Sequence, residues 1–130
     1  MNYEDLLTEA RAARDQAYAP YSRFAVGAAL RAKSGRVFRG CNVENLSFGL
    51  TICAERSAVF AAIAAGEREF EAIGIVADSK EPVTPCGACR QVLAEFAPAL
   101  LVCCANLQGD TFESNLRELL PRATEGILGT

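Results

Sequence analysis

Helical and strand-like segments alternate along this 130-residue chain, which is the pattern of an α/β domain. Residues 3–17 read as a first helix. Leu6, Leu7, Ala10, Ala13, Ala17 and Tyr18 recur at helical spacing, Asn2 stands at the cap position, and Ala19-Pro20-Tyr21-Ser22 stops the run. Residues 24–32 and 36–43 read as two strands of a hairpin turned at Lys33-Ser34-Gly35. Residues 45–52 have the composition of a loop. Residues 53–65 form an Ala-rich helix ended by Gly66, and its apolar circumference after Arg56 predicts that it is largely buried. A third strand follows over 70–77, then Pro82 and Pro85 break the chain before a helix over 87–97. A fourth strand over 100–105, a fifth near 111–113 and a short helix over 115–120, capped by Ser114 and closed by Pro121, complete the pattern. There is no internal repeat and no low-complexity linker. With 51% hydrophobic residues, residues 1–130 fit a single domain around one core, with a small tail (122–130) that is mobile unless a partner subunit holds it.

Charge and residue usage then exclude several functions. Thirteen Lys and Arg against 16 Asp and Glu give a net charge of -3, and a mixed, acidic surface lacks the basic face that nucleic acids require. The longest apolar run, 58–65, is far short of the ~20 residues a membrane span needs, so no membrane partner is expected. Met1-Asn2-Tyr3-Glu4-Asp5 has neither the basic nor the apolar region of a signal peptide, which points to the cytoplasm. Histidine is absent, and with it any Ser-His-Asp or Cys-His nucleophile and any His-ligated metal. Six cysteines remain: Cys41, Cys53, Cys86, Cys89, Cys103 and Cys104. In a reducing compartment they act as buried thiols or metal ligands rather than as disulfides.

Two short motifs fall at helix starts, Cys53-Ala54-Glu55 and Pro85-Cys86-Gly87-Ala88-Cys89. Cys86 and Cys89, three residues apart, share one side of a first helical turn. Free N–H groups and the helix dipole stabilise thiolates there. Three converging thiolates suit a tetrahedral Zn²⁺ with its fourth position open to water. Glu55 lies two residues beyond Cys53, about 200° around an ideal helix, so it is not a ligand; its carboxylate can instead lean over that water as a proton shuttle. Taken singly, the Cys-x-x-Cys motif also fits a redox dithiol or half of a structural zinc site.

The two motifs together, Cys53-Ala54-Glu55 followed by Pro85-Cys86-Gly87-Ala88-Cys89-Arg90-Gln91, resemble the zinc signature of the cytidine deaminase family in its small homotetrameric form. Tyr18-Ala19-Pro20-Tyr21-Ser22-Arg23-Phe24, Asn42-Val43-Glu44-Asn45 and Asn106-Leu107-Gln108-Gly109 carry the resemblance across most of the chain. The resemblance implies a three-layer α/β/α sandwich around a five-stranded mixed sheet in the order 2-1-3-4-5. It implies one Zn²⁺ per chain on Cys53, Cys86 and Cys89, with Glu55 moving protons to N3 of the pyrimidine and to the departing ammonia. By the same resemblance Asn42 and Glu44 hold the ribose hydroxyls, Phe24 packs on the base, Ala54 contacts the substrate and Arg56 donates to the thiolates. Arg90 stands as a second helper or as a solvated helix residue. The implied activity is hydrolytic deamination of cytidine and 2′-deoxycytidine in pyrimidine salvage, in a homotetramer whose subunits complete one another's sites.

Cys41, Cys103 and Cys104 match no ligand position and read as core fillers. The chain departs from the family pattern at Phe48, where Tyr is common, and in a tail, 126–130, that lacks an aromatic. A deaminase of a modified aminonucleoside, a thiol-redox or non-catalytic zinc module, and a nucleic-acid editor are the rival readings. Asn42 and Glu44 favour an intact ribose over the first, and the acidic balance disfavours the last.

Overall fold

The apolar run Phe70–Ala77 forms β3, the central strand of a five-stranded sheet, with all but Glu71 buried. A computed structural model describes residues 3–125. In chain order the elements are α1 (Glu4–Arg14), β1 (Val26–Ala32), β2 (Val37–Cys41), a 3-10 turn (Phe48–Leu50), α2 (Ala54–Ala64), β3, α3 (Gly87–Phe96), β4 (Leu101–Ala105), β5 (Thr111–Asn115) and α4 (Leu116–Leu119). The strand order is β2-β1-β3-β4-β5, as the resemblance implied. β1 is antiparallel to both β2 and β3, β3 and β4 are parallel, and β5 closes the sheet antiparallel to β4. The sheet is therefore mixed, and the parallel pair needs the crossover helix α3 that the sequence places between its strands.

Strand alternation divides the core in two. Ala29, Ala72 and Val76 face α1 and pack with Leu6 and Ala10. Ala28, Leu30, Ile73, Ile75 and Val102 face the other way, against Ala54, Ala58 and Val59 of α2, Leu93 of α3 and Leu116 of α4. These are the three layers of the α/β/α sandwich.

Both large helices approach the sheet over glycine. A Cβ on Gly27 would lie 1.9 Å from the Ala10 carbonyl oxygen of α1. A Cβ on Gly40 would lie 2.3 Å from the Ala54 carbonyl oxygen and 2.4 Å from the Ala58 nitrogen of α2. The opposing atoms are backbone, so no rotamer change relieves the clash. Gly40→Ala should lift the first turns of α2 and lower the unfolding free energy by about 3 kcal/mol, the upper end for overpacking. Chemical denaturation measures it, and a loss under about 0.5 kcal/mol would mean that α2 shifts freely.

Several boundaries differ from those the sequence predicts. α1 ends at Arg14 rather than at 17, because Tyr18 is drawn alongside Val43: its N–H donates to the Asn42 carbonyl, and its own carbonyl accepts from Glu44. β2 stops at Cys41, after which Val43 pairs with Ile52 across the 45–52 segment, which itself contains a 3-10 turn. α2 is not buried all round. Only one side packs on the sheet, while Phe60 is 50% exposed and Ala61 and Ala64 face solvent. Helix α4 is capped by Asn115, whose side chain accepts from the Glu118 N–H at 3.1 Å, rather than by Ser114, which donates to the Glu118 carboxylate at 3.0 Å. The expected Asn2 cap and the residues 126–130 of the tail lie outside the described residues. Among the described residues no helix is long and apolar enough to cross a membrane.

Candidate active site

The N-termini of α2 and α3 meet, and each brings cysteine with it. Cys53 precedes α2 in extended backbone, the geometry of an N-cap, and Cys86 occupies the same position before α3. Cys89 lies buried in the first turn of α3, and its N–H donates to the Cys86 sulfur at 3.4 Å. The Cys53 and Cys86 sulfurs are 3.9 Å apart, and all three sulfurs lie within 4.8 Å of one another. Bonds of about 2.3 Å from a tetrahedral Zn²⁺ set its sulfurs about 3.8 Å apart, so the donors present fit that ion in kind and in spacing.

Electrostatics favour the thiolate at Cys53. The Cys89 thiol, bonding to Cys53, holds Cys53 far below the usual thiol range, at about 5, and Arg56 and Cys86 add to the effect. The same bond and burial push Cys89 up. Arg56 Nη2 donates to the Cys53 sulfur at 3.2 Å, and the Arg56 pKa is raised by that partner. Its Nε is buried with no hydrogen-bond partner among the described residues. Three thiolates around a divalent cation sum to -1, and the guanidinium offsets that charge. Glu55 points inward, only 6% exposed, and burial pushes its carboxyl up to about 7. A carboxyl at that value gives and takes protons near neutral pH.

A second group of side chains lies one strand pairing away. Val43 and Ile52 exchange backbone hydrogen bonds at 3.0 Å, which sets Asn42-Val43-Glu44 beside the residues leading into Cys53. Asn42 is 8% exposed and stitches the entry to β1: its Oδ1 accepts from the Val26 N–H and its Nδ2 donates to the Phe24 carbonyl, both at 2.9 Å. Glu44 lines a cavity of about 420 Å³ with Tyr21, Ser22, Phe48 and Thr51. Phe24 is 38% exposed and so is not a core phenylalanine. Phe48 stands on the rim, 72% exposed and edge-on to Tyr21 with ring centres 5.8 Å apart. Ala54 is fully buried at the start of α2 in the core cluster.

The description "Cytidine and deoxycytidylate deaminase zinc-binding region" belongs to a family model that matches residues 1–105. The chain belongs to this deaminase family. It is 57% identical over 124 residues to the cytidine deaminase of Halalkalibacterium halodurans, covering 95% of this chain and 94% of that protein. With the cytidine deaminase of Sporosarcina psychrophila it shares 51% identity over 124 residues, or 95% of this chain and 91% of the other. A crystal structure of cytidine deaminase from Burkholderia pseudomallei superposes with a TM-score of 0.90 at 53% identity, covering 93% of this chain and 98% of that one.

As in a zinc-binding family, one Zn²⁺ per chain fits the thiol cluster, and among the described residues Cys53, Cys86 and Cys89 are the group that can hold it. Cys103 and Cys104 are buried in β4, where burial pushes their thiols up to about 11 and about 12 respectively, as suits inert core fillers. Cys41 is half-buried, and burial raises it as well. Arg90 is neither a helper of the sulfurs nor a solvated helix residue. Its donors go to the Pro85 carbonyl at 2.7 Å, the Thr84 hydroxyl at 3.0 Å and the Leu119 carbonyl at 2.8 Å, which ties the loop entering Cys86 to α4. Sequence reasoning named no role for Ser22 or Thr51; the first signal for Ser22 was its place in the turn Pro20-Tyr21-Ser22, two residues before Phe24.

Proposed function

We propose that the chain hydrolyses cytidine and 2′-deoxycytidine to uridine and 2′-deoxyuridine, releasing ammonia. The observation that carries this reading is the thiol triad at two helix starts with a buried carboxyl two residues beyond its first sulfur. Zinc held by Cys53, Cys86 and Cys89 supplies a Lewis acid that lets water attack carbon near neutral pH. Glu55 takes a proton from the attacking water and delivers it to N3 of the pyrimidine. It then takes the remaining proton of the new C4 hydroxyl and passes it to the amino group, so that the C4–N bond breaks and ammonia departs as the C4 carbonyl forms. Arg56 stays against the Cys53 sulfur and offsets the charge of the thiolates. Phe24 packs on the base, Ala54 contacts the substrate, and Asn42 and Glu44 hold the sugar hydroxyls.

We also assign the chain to a single domain over 1–130 that works as a homotetramer in cytoplasmic pyrimidine salvage. Support for association comes from exposed apolar side chains, Leu46, Phe48 and Leu50 in the segment after β2 and Phe60 on α2, which together are more than a lone subunit needs to leave in water. Sedimentation of the purified protein tests it, with a monomer as the contrary result.

An ultraviolet assay with cytidine, 2′-deoxycytidine, cytosine and CMP tests the activity. Both nucleosides should turn over, and free cytosine, which offers no sugar, should be a poor substrate. Glu44→Gln should raise the KM for cytidine about tenfold or more, since a bond to a charged acceptor becomes one to a neutral amide. Efficient turnover of cytosine, untouched by Glu44→Gln, overturns the sugar assignment.

A further inference from the structure

Glu44 does not stand free in its cavity. Its Oε1 accepts from the N–H groups of Tyr21 and Ser22, both at 3.0 Å, and its Oε2 accepts from the Ser22 hydroxyl. An ionised carboxylate offers about four lone-pair positions, so three are filled and one remains on Oε2. The Ser22 oxygen also accepts from the Phe24 N–H at 3.0 Å. One hydroxyl thus joins the carboxylate to the backbone of the aromatic residue. Arg23, between them, takes a left-handed φ of 58°, a conformation that branched and bulky side chains rarely adopt. The Arg23 N–H is bonded to the Ala19 carbonyl at 3.0 Å, which holds the turn in that form.

We infer that Ser22 is a positioning residue for nucleoside specificity: its hydroxyl fixes the Glu44 carboxylate so that the one remaining lone pair faces the sugar, and couples that setting to Phe24. The inference rests on the assignment of Glu44 to the sugar. Hydrogen bonds from Ser22 are also the main cause of a Glu44 pKa below the usual carboxylate range, which keeps the group an acceptor. The site therefore reads a sugar hydroxyl as a donor to a single oriented oxygen. Ser22 touches neither the base-reacting groups nor the sulfurs, so its contribution is to binding and is equal in ground and transition states.

The experiment compares Ser22→Ala and Ser22→Thr with the parent holoenzyme, at equal zinc content. Ser22→Ala should raise the KM for cytidine about tenfold with kcat within about twofold, the signature of lost uniform binding. The inhibition constant of 2′,3′-dideoxycytidine, which has no hydroxyl at either position, should change by less than about twofold. Ser22→Thr retains the hydroxyl and should restore the cytidine KM. An equal penalty for cytidine and dideoxycytidine, or a Thr variant as impaired as Ala, overturns the inference and makes Ser22 a structural member of the turn. Glu44→Gln separates the two levels. If it raises the cytidine KM while Ser22→Ala does not, the role of Ser22 fails alone; if it leaves that KM unchanged, the sugar assignment of Glu44 fails first.

Discussion

Glu55→Gln should keep its zinc and lose at least about 10⁴-fold in kcat for cytidine. The amide is nearly isosteric and still bonds to hydrogen, but it cannot accept a proton from water at neutral pH. General acid–base groups contribute ~10²–10⁴-fold, and this one serves several transfers in one cycle. Its burial at 6% exposure leaves little room for another base to substitute. The melting temperature should not fall, because a carboxyl pushed up to about 7 by burial is not a group whose charge supports the fold. The measurement is paired: kcat and zinc stoichiometry on one preparation. Near-parental kcat with full zinc would place the shuttle elsewhere, and loss of zinc with activity would make Glu55 a structural group.

Cys89→Ala should abolish both metal and turnover. Cys89 is the buried member of the sulfur cluster, bonded through its proton to Cys53, and removing it leaves two sulfurs for an ion that needs three protein ligands. Elemental analysis should read close to no zinc, with kcat at background. Cys103→Ala is the control: an equally buried thiol in β4, outside the cluster, whose loss should cost about 1 kcal/mol of packing and no zinc. Full zinc retention in the Cys89 variant would end the ligand assignment.

The central strand shows how much of this fold was legible in advance. Residues 70–77 are almost continuously apolar, and burial on both faces of a sheet follows from that alone. The start of α3 was equally legible, because Pro85 breaks the chain just before it and Cys86 and Cys89 recur at the spacing of one helical turn. Helix α2 was misread for a physical reason. Alanine is compatible with core and with surface, so an Ala-rich circumference does not say which side meets the sheet. The approach over Gly40 decided that, and Phe60 was left on the outer side. The end of α1 was lost similarly: Ala17 and Tyr18 continue the helical spacing, but long-range pairing with residues 42–44 outweighed local propensity.

The sequence by itself determined which donors the chain can offer. With no histidine, imidazole is excluded as a metal ligand, the cysteine motifs stand at two helix starts, and the family resemblance implies thiols as the ligands with Glu55 outside that set. Only the tertiary structure decided where the side chains around that chemistry go. It drew Arg90 away to Pro85 and Leu119, anchored the Asn42 amide at the entry to β1 with one acceptor and one donor position left over, and set the Ser22 hydroxyl on Glu44 across 22 residues of chain. Motif spacing reports only what one helical turn or one strand can hold together. Hydrogen-bond partners distant in sequence are chosen by the register of the sheet, which brings residues 18–26 against 42–44.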